Sequence, residues 1–127
     1  MNATKKILVV DDSSIHLFLI QNILVDKNYD VTIADHPQKA IDLITNNHYH
    51  IIILDIMMPD MDGFQFLDRK KEIELNKNTP VIVVSAKTDS WSIKNALDKG
   101  ASDYITKPIE NELVVRKVRE ILRGQVN

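Results

Sequence analysis

The sequence contains no cysteine. That absence excludes disulfides, thiolate metal centres and cysteine nucleophiles together. It fits a reducing compartment, and a cytoplasmic place is expected. Only three glycines occur, at positions 63, 100 and 124, so the chain has no glycine-rich loop to cradle the phosphates of a nucleotide or flavin. No apolar run approaches the ~18 residues of a membrane span, and the start MNATKKILVV lacks a signal-peptide layout. Neither sign of charge dominates. Lys and Arg number 16 against 18 Asp and Glu, a formal net charge of −2, which is no footprint for nucleic acid or for an anionic membrane.

What remains is an ordinary folding composition. The 127 residues are 44% hydrophobic and 27% charged, as in a globular domain. A chain of this length buries roughly two thirds of its unfolded surface and needs no covalent staple. It is read as one domain over residues 1–127, with a core at about 5–122 and a possible linker starting in Gly124–Asn127.

Short apolar runs alternate with longer helical patterns. Strands are expected at Ile7–Val10, Val31–Ala34, Ile51–Leu54, Val81–Val84 and Tyr104–Thr106. Helices are expected at Ser13–Lys27, Pro37–Asn46, Gly63–Leu75, Ser90–Lys99 and Glu110–Arg123. Asp35 is a possible cap of the second helix, and Gly100 stops the fourth. The first, third and fourth strands are continuous Val/Ile/Leu runs, the pattern of strands buried on both faces. Five βα units of this kind predict an α/β three-layer sandwich: a flavodoxin-like (βα)5 fold with a parallel sheet in the order 2-1-3-4-5.

Ligands of such sheets bind at the carboxyl ends of the strands. Asp11 and Asp12 follow the first strand, Asp55 the third, Ser85 and Ala86 the fourth, and Lys107 and Pro108 the fifth. Three carboxylates converging at one end repel, and a divalent cation bound by oxygens would offset them. Either Asp of the first pair could instead be a helix cap. The whole set at four strand ends is harder to assign to chance.

These residues sit in VVDDSS at 9–14, LDIMMPDMDGF at 54–64, VVSAK at 83–87 and GASDYITKP at 100–108. Together with a final amphipathic helix, the chain resembles a response-regulator receiver domain of the chemotaxis-regulator type over residues 5–122. The resemblance implies a two-component signalling module that is not an enzyme beyond its own phosphorylation and slow self-dephosphorylation. Asp55 would accept a phosphoryl group from a phosphohistidine of a histidine kinase or phosphotransfer protein. Asp12 and Asp55 would ligate Mg²⁺ (or Mn²⁺) with the backbone carbonyl of Met57, and Asp11 would act mostly through water. Ser85 would reach a phosphoryl oxygen, and Lys107 would pair with Asp55 or its phosphoryl group. Tyr104 would turn inward when Ser85 is engaged. The Lys107–Pro108 peptide would be cis. The chemistry agrees with these roles, since phosphoryl transfer asks for charge compensation and in-line placement above all.

Some residues have a packing role as the alternative. Tyr104 could be a half-buried strand residue. Met57 and Lys87 stand two positions after Asp55 and Ser85; the resemblance implies that these positions flank the approach of water, which with a bulky apolar and a long cationic side chain there predicts a phosphorylated lifetime of minutes or more. In the first helix His16, Leu19, Ile20, Ile23 and Leu24 have core spacing, which leaves Ile15, Phe18, Asn22 and Val25 as an apolar outer strip. With Pro108, Ile15 and Phe18 are expected to dock a partner helix. His16, His36, His48 and His50 are not expected to converge. Trp91 is placed on the surface of the fourth helix, fifth strand and fifth helix. Lys94, Lys99, Arg116, Lys117 and Arg119 there form a docking patch or a solvated face. The expected output is a downstream protein target or an output domain, without direct nucleic-acid contact or membrane insertion. A stand-alone regulator is expected over a fragment.

Two other readings belong to different classes. One is an aspartate-nucleophile phosphohydrolase, which generally needs a second acid where Met57 stands, and a cap domain. The other is a degenerate receiver acting as a scaffold, against which the complete acid pair, acceptor, hydroxyl and lysine argue.

Overall fold

Five strands and five helices alternate along the chain: β1 (Lys6–Val10), α1 (Ser14–Val25), β2 (Asp30–Ala34), α2 (Pro37–Asn46), β3 (Ile51–Asp55), α3 (Gly63–Lys70), β4 (Val81–Ser85), α4 (Ser90–Asp98), β5 (Asp103–Thr106) and α5 (Asn111–Arg123). The computed structural model describes residues 4–58 and 61–125. Pro59 and Asp60 of the 54–64 motif, and Val126 and Asn127 of the tail, lie outside the described residues. All strand pairs are parallel, in the order β2-β1-β3-β4-β5.

The strands that read as unbroken apolar runs are the interior ones. β3 and β4 are buried at every position and β1 at all but Lys6, whereas β2 and β5 lie at the edges and are only part-buried. Side chains alternate across the sheet. Leu8, Val10, Ile52, Leu54, Val81 and Val83 pack in one layer with α2, α3 and α4 residues such as Ile44, Phe66 and Ala96. Ile7, Val9, Ile51, Ile53, Ile82 and Val84 pack in the other with Leu17, Ile20 and Leu24 of α1 and Val114 and Val118 of α5.

Helix ends follow their local chemistry. Ser13 is the N-cap of α1 and accepts from the His16 backbone N–H, so Asp12 is not the cap. His36, not Asp35, occupies the N-cap of α2, and the Asp35 carboxylate pairs with the His36 ring at 2.8 Å. Asp62 and Gln65 form a reciprocal capping box at the start of α3. A side chain at Gly63 would overlap the Ile56 backbone, because the Gly63 N–H donates to the Ile56 carbonyl at 2.9 Å. Gly100, at φ +104, supplies the left-handed residue that ends α4.

Two expectations about helices are corrected. The core stripe of α1 is Leu17, Ile20 and Leu24; Leu19 is exposed and His16 is not in the core. Apolar residues surround this helix, so spacing alone selects no face. The third helix ends at Lys70 instead of Leu75. Residues beyond it are drawn into turns by Asn76, whose fully buried amide donates to the carbonyls of Ile44 and Asn47 and accepts from the Tyr49 N–H and the Thr79 hydroxyl. Lys70 is also buried and donates to the Lys77 carbonyl across the same turn; burial pulls its pKa down to about 8. At the other end of the chain, Gly124 caps α5 and the Gln125 amide donates to the His50 carbonyl.

Asn76 therefore joins α2, the approach to β3 and the approach to β4 through polar groups most of which are buried. Replacing it by Ala leaves several of them unpaired, and Asn76→Ala is expected to lower the unfolding free energy by about 3 kcal/mol. Urea unfolding followed by circular dichroism measures this; a loss below about 1 kcal/mol would show the amide to be dispensable.

Candidate functional site

The strand register builds the site. Val10 pairs with Leu54, so the next residues, Asp11 and Asp55, stand side by side at the carboxyl ends of β1 and β3. Both continue the alternation of Val9 and Ile53, and so face the layer of α1 and α5. They are 2% and 4% exposed. Asp12, the next residue, is exposed. One oxygen from each of Asp11, Asp12 and Asp55 lies within 4.8 Å of the others.

Each buried carboxylate is held by two partners. Asp11 Oδ1 accepts from the Ser13 N–H at 2.9 Å and Oδ2 from Lys107 Nζ at 3.3 Å. Asp55 Oδ1 accepts from the Met57 N–H at 2.9 Å and Oδ2 from Lys107 Nζ at 3.2 Å. Lys107 follows β5, and its own N–H donates to the Ser85 carbonyl at 2.9 Å, which extends the β4–β5 ladder to the site. The Lys107–Pro108 peptide is cis.

Burial pushes the Asp55 pKa up, and the Asp11 charge adds to the rise; the Met57 N–H and Lys107 oppose it. The charge on Asp55 is thus incompletely compensated. Three carboxylates and one ammonium leave a local deficit that a divalent cation fits in both charge and donor type, since all the available side-chain donors are hard oxygens.

On the other face of the sheet, Ser85 is fully buried and its Oγ accepts from the Lys87 N–H at 3.1 Å. Tyr104 packs against the α2–α4 layer, and its hydroxyl donates to the Lys87 carbonyl at 2.8 Å. Ser85 and Tyr104 are thus both tied to the same short segment after β4.

The structure brings together Asp11, Asp12, Asp55, Lys107 and the Met57 backbone. Ile15 and Phe18 lie at 77% and 64% exposure on α1, with Val25 also exposed. Phe18 borders a groove lined by Leu17, Ile33 and Lys39. Three of the histidines lie apart from the site; His16, expected on the core face of α1, stands instead beside the acids. His16 Nδ1 is 2.8 Å from Lys107 Nζ and 3.4 Å from Asp11 Oδ2. A signal existed: with Ser13 as N-cap, residue 16 stands in the first turn of α1, on the layer toward which Asp11 points. Trp91 also departs from expectation. It leans toward α3, edge-to-face on Phe64 with ring centroids 5.9 Å apart. Lys94, Lys99, Arg116 and Lys117 pair with Asp98, Asp68, Glu120 and Asp103, which favours a solvated, internally balanced face over a free basic patch.

The family described as the response regulator receiver domain matches this sequence over residues 7–119. The chain belongs to that family. The receiver is 35% identical over 119 residues to the response regulator ArlR of Staphylococcus haemolyticus, an alignment that covers 94% of this chain and 53% of the relative. The ArlR of Staphylococcus aureus is 33% identical over 120 residues, with the same coverage. The receiver therefore spans about half the length of these curated relatives. Among solved structures, a CheY-like response regulator receiver domain protein from Methanospirillum hungatei superposes with a TM-score of 0.89 at 28% identity, covering 95% of both chains. A two-component response regulator from Clostridium difficile gives 0.90 at 29% identity, covering 95% of this chain and 98% of the other. The receiver is a signalling domain of two-component systems, and no described helix is long and apolar enough to cross a membrane.

The raised pKa of Asp55 has a stability consequence. A carboxyl whose folded pKa lies above its unfolded value favours the fold while protonated, and that contribution is lost as pH rises through the folded value. At pH 7 the Asp55 charge therefore works against the metal-free fold. Asp55→Asn is expected to raise the thermal midpoint without metal by a few degrees. Mg²⁺ should raise the wild-type midpoint and act less on the variant. Calorimetry with EDTA and with Mg²⁺ tests both; a lower midpoint for the variant in EDTA would show that Lys107 already compensates the charge.

Proposed function

We propose that Asp55 is the phosphoryl acceptor of this receiver, and that the donor is a phosphohistidine of a histidine kinase or a histidine phosphotransfer protein. The observation that carries this reading is the pairing of Asp55 Oδ2 with Lys107 Nζ at 3.2 Å, beside the Asp11 and Asp12 carboxylates. A carboxylate oxygen attacks phosphorus, the P–N bond breaks, and the electron pair leaves on the imidazole nitrogen. The group being transferred is anionic, so a bare carboxylate would repel it. Lys107 supplies one compensating charge. Mg²⁺ would be held by Asp12, Asp55 and the Met57 backbone carbonyl, with Asp11 acting mostly through water, and would supply the rest; Mn²⁺ has the same donor preference.

Ser85 and Tyr104 are the proposed switch. Both bond to Lys87, through its N–H and its carbonyl respectively. Drawing the Ser85 hydroxyl toward a phosphoryl oxygen releases the Lys87 N–H, loosens this segment and frees the tyrosine ring to turn inward. The surface that changes then engages a downstream target or an output domain.

The partner is proposed to dock on α1. Ile15 and Phe18 form an exposed apolar strip on the same helix as His16, which touches the acidic site, and the exposed Pro108 follows Lys107 in the chain. Large apolar side chains left in water next to a reacting group fit the helix of a phosphohistidine bundle.

Acetyl phosphate with Mg²⁺ tests the acceptor. A mass gain of one phosphoryl group is expected in wild type and none in Asp55→Ala. Loss of the label should take minutes or more, since Met57 and Lys87 crowd the path of water. Absence of any gain would favour a scaffold, and loss within seconds would remove the shielding role of those two side chains. For docking, Phe18→Glu should slow transfer from a phosphohistidine protein by roughly tenfold or more at an unchanged thermal midpoint. Equal transfer rates would place the partner elsewhere.

A further inference from the structure

We propose that His16 is a positioning residue that holds the Lys107 ammonium over Asp55. The inference rests on the reading of Asp55 as phosphoacceptor and adds to it a side chain on α1.

The argument is one of donors and acceptors. A lysine ammonium has three N–H donors and no lone pair. Lys107 Nζ meets three acceptors: Asp55 Oδ2 at 3.2 Å, Asp11 Oδ2 at 3.3 Å and His16 Nδ1 at 2.8 Å. All three donors are therefore used, and the contact to the imidazole is the shortest. Facing an ammonium, Nδ1 must be the accepting nitrogen, with the ring proton on Nε2. The 3.4 Å approach of the ring to Asp11 follows from their shared lysine.

Two carboxylates alone would fix the ammonium poorly. Lysine is a flexible point charge with freely rotating donors, and carboxylates side by side offer it several nearly equivalent seats. The imidazole approaches from α1 and removes that freedom. Its own backbone is anchored, because the His16 N–H donates to the N-cap hydroxyl of Ser13. Lys107 is 14% exposed and His16 36%, so the ring also closes the lysine from solvent on that side. In the transfer step, Lys107 must meet the charge on the phosphoryl oxygens as the Asp55 oxygen bonds to phosphorus. An ammonium already held in place loses no time or entropy in finding them.

Acetyl phosphate is the suitable donor for the test, because it needs no docking surface. The Asp55 oxygen bonds to phosphorus, the P–O bond to the acetyl group breaks, and acetate leaves with the electron pair. Three variants separate positioning from bulk. In His16→Asn the side-chain oxygen can take the place of Nδ1. In His16→Gln the polar atoms lie nearer the place of Nε2, and His16→Ala has none. Phosphorylation is expected to slow by roughly threefold to tenfold in the Ala and Gln variants and to stay within about twofold of wild type in the Asn variant, at equal thermal midpoints. The ¹⁵N resonance of the Lys107 ammonium provides a second readout. It should be observable in wild type and His16→Asn and lost to solvent exchange in His16→Ala. Wild-type rates in the Ala and Gln variants, an Asn variant as slow as Ala, or an ammonium signal that survives His16→Ala would each overturn the positioning role. The ammonium signal needs no phosphoryl donor. Failure of wild type to take up a phosphoryl group would therefore overturn the Asp55 reading alone.

Discussion

Two buried carboxylates stand next to each other at the end of a parallel sheet, and one lysine from a third strand reaches both. Most of the molecule serves this contact. β1 and β3 must be adjacent and in register for Asp11 and Asp55 to meet. β4 must lie between β3 and β5 for Lys107 to arrive from the right distance. The apolar runs of β1, β3 and β4 are buried on both faces, so the sheet cannot slide to relieve the repulsion. The site is strained electrostatically because the scaffold beneath it is rigid.

That rigidity is also what makes the site responsive. A carboxylate with a raised pKa and one ammonium partner is short of positive charge, and a cation or an altered acceptor changes the balance at once. The proposed switch would give that response a short path out of the site. Ser85 and Tyr104 both hold Lys87, from the N–H and the carbonyl of the same residue. A change at the serine hydroxyl reaches the edge of the sheet through a single residue. The acids lie on one face of the sheet, toward α1, and Ser85 and Tyr104, the proposed switch pair, on the other, toward α4.

Much of this was legible in the residues. Continuous Val/Ile/Leu runs gave the three interior strands because a strand covered on both sides tolerates no polar position. The strand ends gave Asp11, Asp12, Asp55, Ser85 and Lys107 because an α/β sheet exposes only those ends to ligand. What misled was a surplus of apolar residues in α1. With several stripes available, spacing chose His16 for the core where packing chose Leu17. The length of α3 was misjudged for a different reason: residues 71–75 continue the helical spacing, and three of the four groups that bind Asn76 just beyond them, from Ile44, Asn47 and Tyr49, come from far away in the chain.

The amino-acid sequence by itself determined the strands, the order in which they alternate with helices, and the kinds of groups at the strand ends, because these depend on hydrophobic runs and local caps. Only the tertiary structure decided which side of the sheet each acid faces, that His16 completes the shell of Lys107, and that Trp91 leans on Phe64. Those are contacts between side chains far apart in sequence. Their geometry follows from how each helix rotates about its axis when it packs, and no local preference sets that rotation.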